Sequence, residues 1–119
     1  MLLLLTALSS GLSEENEFIT YSTRQGEVRG VVREARNGRK FDAFLGLPFA
    51  KPPIGELRWK APEDPPVWNG IRDATKLAQV CAQDNLYHPD EMKGSEDCLY
   101  LNVFTPSSTE GINSELLVF

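Results

Sequence analysis

The stretch Glu-Asp-Cys-Leu-Tyr-Leu-Asn-Val-Phe-Thr-Pro, from Glu96 to Pro106, constrains this chain more than any other part of it. It places an acidic pair and a cysteine directly before an apolar run that a proline closes. In an extended strand Leu99, Leu101 and Val103 share one face, and Tyr100, Asn102 and Phe104 share the other. Both faces are mostly apolar. The pattern therefore predicts a strand covered on each side, as in a parallel sheet flanked by helices. Pro106 has no backbone donor and stops the ladder.

Composition narrows the rest. The chain has 119 residues, 41% hydrophobic and 24% charged, an ordinary globular balance that suits one small domain or a piece of a larger one. A net charge of −5 argues against general affinity for nucleic acid or anionic membrane. The local basic run of Arg24, Arg29, Arg33, Arg36, Arg39 and Lys40 alternates with Val28, Val31 and Val32. It reads as the wet face of a β-hairpin rather than as a binding patch. Cys81, Cys98 and the single His88 do not have the spacing of a metal or redox site. A disulfide is the better reading of the two cysteines if the chain is secreted. Closing that loop would restrict the unfolded chain by about 3 kcal/mol.

The compartment is read from the start of the chain. Leu2 to Leu8 is a short apolar run passing into Ser9-Ser10-Gly11. It resembles the hydrophobic and small-residue parts of a signal peptide, cleaved between Ser9 and Ser13, although no Lys or Arg precedes it. The run is too short to span a bilayer. Residues 1–13 are accordingly expected to be a signal peptide and residues 14–119 the mature chain, which is then secreted.

Strands are expected over Phe18–Thr23, Glu27–Arg33 and Phe41–Leu47, with a turn at Gln25-Gly26. Asn37-Gly38 predicts a type I′ hairpin turn, since both its central positions need positive φ. Phe41, Ala43, Leu45 and Leu47 would then share one face of an antiparallel meander. Six of the eight prolines lie between Pro48 and Pro66, interleaved with large apolar residues. That texture predicts an ordered, irregular crossing pinned by Trp59 and Trp68, rather than a flexible linker. Pro62-Glu63-Asp64-Pro65 has the spacing of a polyproline ligand, but its acidic character argues against that use. Ile71–Thr75 reads as extended, with a brief helix capped by Asp73 and reaching Cys81 as the alternative. The polar segment between the cysteines looks like a surface Ω-type loop. Ser107–Gly111 reads as a hairpin connection and Leu116–Phe119 as the start of another strand. Because the chain stops inside an apolar strand, it looks cut short.

Three features together resemble a known family. Phe44 to Trp59, with its Leu-Pro-Phe-Ala-Lys-Pro-Pro-Ile-Gly core, resembles the early block of the type-B carboxylesterase and cholinesterase family. Glu96 to Pro106 resembles that family's Glu-Asp-Cys-Leu-Tyr-Leu-Asn signature. Cys81, followed by Ala82-Gln83, sits where the family has the first partner of its N-terminal disulfide. The resemblance runs from about Phe18 to Phe119. It implies the N-terminal part of an α/β-hydrolase fold, meaning a small antiparallel sheet and the first strands of a large mixed sheet. It also implies pairing of Cys81 with Cys98, and a buried ion pair between Arg58 and Glu96. A guanidinium partly desolvated beside Trp59 would need such a carboxylate.

The same resemblance implies a serine carboxylesterase that hydrolyses small-molecule carboxylic esters through an acyl-enzyme, with no cofactor, metal or nucleic acid. The catalytic motifs themselves are not in these residues. There is no Gly-x-Ser-x-Gly elbow and no His-Gly-Gly-Gly-like oxyanion loop. Gly94-Ser95 runs into Glu96, and Gly11-Leu12-Ser13 into Glu14. In this fold the triad follows the oxyanion loop in the order serine, acid, histidine. His88 precedes any such nucleophile and is expected to be a polar loop residue rather than the general base. No catalytic residue is thus expected in this segment, and alone it would be inactive. The rival reading is a non-catalytic, neuroligin-type adhesion domain, which shares these N-terminal blocks and differs at the nucleophile. Substrate preference, oligomeric state and membrane anchoring are not legible.

Overall fold

The computed structural model describes residues 17–85 and 87–107, excepting the side chains of residues 88–91. The expected signal peptide, the connection beyond Ser107 and the strand at Leu116–Phe119 lie outside the described residues. Seven strands occur in chain order: β1 (Phe18–Ser22), β2 (Glu27–Glu34), β3 (Lys40–Pro48), β4 (Ile71–Asp73), β5 (Gln83–Asn85), β6 (His88–Lys93) and β7 (Tyr100–Pro106). A single 3₁₀ turn, Gly55–Leu57, is the only helical element among the described residues.

The first three strands form the expected antiparallel meander, rich in the β-branched and aromatic residues that fit a pleated surface. The turn between β2 and β3 differs from expectation. The Gly38 N–H donates to the Ala35 carbonyl at 2.9 Å, and the Ala35 N–H to the Arg39 carbonyl at 2.9 Å. Gly38 has φ 80°, whereas Asn37 is not among the positive-φ residues. A type I′ turn needs both. Here the Asn37 Oδ1 accepts the Arg39 N–H at 3.2 Å and holds the asparagine in an ordinary backbone conformation.

The main sheet runs β1-β2-β3-β7 with every neighbour antiparallel, and β4 joins β2 in parallel. β4 lies against Glu27–Arg29, while β3 pairs with Val31–Glu34. Where the two meet, the Ala74 N–H donates to the Arg29 carbonyl at 2.8 Å and the Leu45 N–H to the Ala74 carbonyl at 2.7 Å. Ala74 therefore sits in the fork between β2 and β3, and it is completely buried.

Past this fork β3 carries a bulge. Phe44 is paired with Val103 but Leu47 with Leu101, so β3 has one residue more than β7 over the same span. Gly46 takes φ 67° there and donates its N–H to the Asn102 Oδ1 at 2.9 Å. A Cβ on Gly46 would come within 2.9 Å of the Lys76 carbonyl oxygen. The extra residue reverses the alternation and corrects the predicted face: Leu47 packs with Phe44, not with Leu45. One core cluster holds Val28, Phe44 and Ala74 with Ile19, Leu47 and Trp68 around them. The other, on the opposite face, holds Val31, Ala43 and Leu45 with Phe41.

Three further expectations need correction. β7 pairs antiparallel with β3, and Leu101, Val103 and Phe104 are each partly exposed, because no described element covers either of its faces. Ile71–Asp73 is extended as expected, and the alternative helix after it does not form, since Ala74 is held in the sheet ladder. The segment between the cysteines is not an irregular loop but contains the β5–β6 hairpin. Only one tryptophan pins the proline-rich crossing. Trp68 donates its Nε1–H to the Glu27 carbonyl at 2.8 Å and packs on the core. Trp59, at φ 63°, leaves its side chain 96% exposed. The crossing is instead tied back on itself by Lys51, whose N–H and Nζ reach the Glu63 carbonyl and carboxylate at 3.0 and 2.8 Å.

The bulge yields a paired prediction. Gly46→Ala strains a left-handed position and crowds the Lys76 carbonyl, and should lower stability by about 1–3 kcal/mol. Asn102→Ala removes the acceptor for the same amide and should cost about 1–2 kcal/mol. Denaturant titration measures both, and their non-additivity in the double variant reads the shared contact.

Candidate functional site

The polar and sulfur-bearing residues of the sequence gather where the segment after β4 meets the segment before β7. Cys81 and Cys98 form a disulfide with their Cα atoms 5.0 Å apart. A parallel bridge beside it aligns Cys81 with Ser95. The Ser95 N–H donates to the Val80 carbonyl at 2.9 Å, and the Ala82 N–H to the Ser95 carbonyl at 3.1 Å. Gly94 permits this approach: at φ 96°, any Cβ would overlap the carbonyl oxygens of Val80 and Cys81. The disulfide thus closes a covalent ring around the β5–β6 hairpin and anchors it to the start of β7.

Arg58, at the end of the 3₁₀ turn, pairs with the Glu96 carboxylate. The pair is not buried as the family resemblance implied: each side chain is 49% exposed. Trp59 is the reason, because it turns its ring into solvent instead of covering the guanidinium. An exposed pair of this kind contributes little on its own. It joins the proline-rich crossing to the loop that leads into Cys98.

A crevice of about 400 Å³ opens beside the disulfide, lined by Gly46, Arg72, Asp73, Lys76, Asp97 and Tyr100 among others. Burial pushes the Tyr100 phenol above its usual pKa, and its hydrogen bond to Asp97 and the charge there add to the effect, with Arg72 opposing. Tyr100 is therefore a neutral donor to Asp97. The Asp97 N–H in turn donates to the Ser95 Oγ at 3.1 Å. Asp73 lies below its usual carboxylate pKa of 3.8, chiefly because the Thr75 hydroxyl donates to it at 3.0 Å, with Arg29 adding at 3.5 Å. Two cations face two carboxylates here, so the crevice has no net charge to recruit an ion.

Among the described residues this arrangement holds chain segments together. The Ser95 Oγ is occupied as a backbone acceptor, and His88 opens β6 with its side chain outside the described residues. Among the described residues no group of His, Cys, Asp and Glu side chains is assembled as a metal site. No described helix is long and apolar enough to cross a membrane. Reading by periodicity missed one key residue, Asn102. Its signal was present, a lone amide within an apolar strand, and such a group needs a partner.

The sequence matches the family model described as the carboxylesterase family over residues 17–119. It is 51% identical over 96 residues to juvenile hormone esterase of Tribolium castaneum, covering 80% of this chain and 16% of that protein. It is 41% identical over 112 residues to pyrethroid hydrolase Ces2a of Mus musculus, covering 82% and 20% respectively. With cocaine esterase of Homo sapiens the identity is 36% over 130 residues, covering 98% of this chain and 23% of that protein. The chain belongs to the carboxylesterase family. It spans about a fifth of the length of these relatives.

Two measurements check the roles assigned here. In a double-mutant cycle of Arg58→Ala and Glu96→Ala, the coupling should be about 0.2–1 kcal/mol and shrink in high salt. A buried pair would give several-fold more. For Asp73 the folded pKa is depressed, so its contribution is present above the usual value of 3.8 and is lost as pH falls below it. Acid unfolding of Asp73→Asn should accordingly lose part of its pH dependence in that range, with no change in the dependence near neutral pH.

Proposed function

We propose that this chain is the N-terminal portion, residues 14–119, of a serine carboxylesterase with an α/β-hydrolase fold. Its full-length form hydrolyses small-molecule carboxylic esters through an acyl-enzyme, without cofactor or metal. The observation that carries the reading is 51% identity to a juvenile hormone esterase, on a segment that retains the Glu96–Pro106 block with Cys98 in a disulfide. The meander fits the small N-terminal sheet of that fold, and β3 with β7 fit the first strands of its central sheet. In this reading the segment is scaffold. The ring closed by Cys81 and Cys98 and the Arg58–Glu96 pair fix the strands on which the oxyanion loop and nucleophile of the full-length protein depend.

The secretory route follows from the same features. Disulfides persist in oxidising compartments, and residues 1–13 carry the apolar and small-residue parts of a leader. The natural substrate is an ester whose acyl and alcohol groups are selected by residues outside this segment.

The test is expression of the full-length polypeptide from its transcript. Turnover of a p-nitrophenyl ester, with burst release of nitrophenol and inactivation by an organophosphate, is the expected result, and residues 14–119 alone should show neither. A full-length protein with no burst and no inactivation is not a serine esterase, and its sequence at the elbow would then identify the adhesion type. Separately, Cys81→Ser with Cys98→Ser should lower stability by about 3 kcal/mol. Mass mapping that found both native thiols free would contradict the secretory route.

A further inference from the structure

The face of the main sheet that carries Phe44 has a buried carboxylate which nothing in the described structure satisfies. Asp42 is 4% exposed, and its Oδ1 is sealed from solvent without a hydrogen-bond donor. It is paired across the sheet with Val32 and with Thr105, a β-branched neighbour on each side. Lys40, two residues away on the same strand face, is engaged with Glu17 at 3.0 Å. Asp42 lines a groove of about 470 Å³ whose walls include Ile19, Tyr21, Phe44, Leu47 and Val103. The hydroxyl residues Thr23, Thr105 and Ser107 also line the groove, yet Oδ1 has no hydrogen-bond partner, and a buried carboxylate is costly unless a cation or several donors reach it.

We propose that this face is a docking surface for a further polypeptide element of the same esterase, one that presents an arginine or lysine to Asp42 between apolar side chains. The inference rests on the reading of this chain as part of a longer hydrolase. The groove is open along its rim, with Tyr21 65% and Val103 39% exposed, which suits a packed element better than an enclosed small molecule. A second copy of the chain is disfavoured by charge, because it would set one Asp42 against another on a chain of net charge −5. The relatives supply the material: about four-fifths of their length lies outside the matched segment.

The experiment uses the full-length protein and two readouts that do not involve ester hydrolysis. Hydroxyl-radical labelling compares Tyr21 in the native and urea-unfolded states. The expected result is oxidation about ten-fold slower in the native state, independent of protein concentration. Equal rates would mean that the face is open to solvent, and protection lost on dilution would assign it to a second copy. Either result overturns the proposal. Asp42→Asn and Asp42→Leu then test the cation. Each should lower the thermal midpoint, by on the order of 5 °C, with leucine worse because it fits the apolar walls but strands the partner's charge. A leucine variant as stable as the parent would show that the covering element is apolar, and so overturn the proposed ion pair. A protein that passes both readouts yet hydrolyses no ester would keep this docking surface and refute only the catalytic reading.

Discussion

The fork at Ala74 sets the geometry of the whole sheet. Its N–H reaches Arg29 on β2 and its carbonyl accepts from Leu45 on β3, so a single residue bridges two strands that would otherwise separate with exposed ladder groups. Backbone groups buried without partners are too costly to leave. This bridge satisfies the backbone where β3 leaves β2, while β3 keeps β7 along its other edge. With the fork in place, the chain after β4 runs past Gly46, where its Lys76 carbonyl leaves room only for a glycine. The bulge and the reversed alternation at Leu47 sit at that close approach.

Local signals in the sequence foretold local structure. Asn37-Gly38 marked the hairpin because few other residue pairs reverse a chain so tightly, and Val28, Val31 and Val32 marked a strand. The turn type was not legible, since the Asn37 side chain chose between two backbones by bonding Arg39. The face assigned to Leu47 failed for a non-local reason. A period-two pattern assumes an unbroken ladder, and the bulge depends on Asn102, which is 56 residues away. Trp59 illustrates the limit of composition: a large apolar ring predicts burial, but a left-handed backbone at that residue sends the ring outward.

The family signature proved more informative than its own strand pattern. Read as a strand, Leu99 to Phe104 predicted cover on both faces and a parallel neighbour, neither of which the described residues provide. Read residue by residue, the block has distinct duties. Glu96 reaches the proline-rich crossing, Asp97 receives Tyr100, Cys98 closes the ring, and Asn102 satisfies the bulge. These four polar members each hold neighbouring segments in register.

The covalent ring has a consequence for how such proteins diversify. The disulfide and the Cys81–Ser95 bridge lie side by side at the neck of the β5–β6 hairpin, so the neck is fixed whatever the hairpin's length. Loop-closure entropy grows only logarithmically with added residues. Insertions at the hairpin tip are thereby uncoupled from the strand that follows. The hairpin can be lengthened, recharged or reshaped as a separate module, while β7 remains in the position its neighbours require.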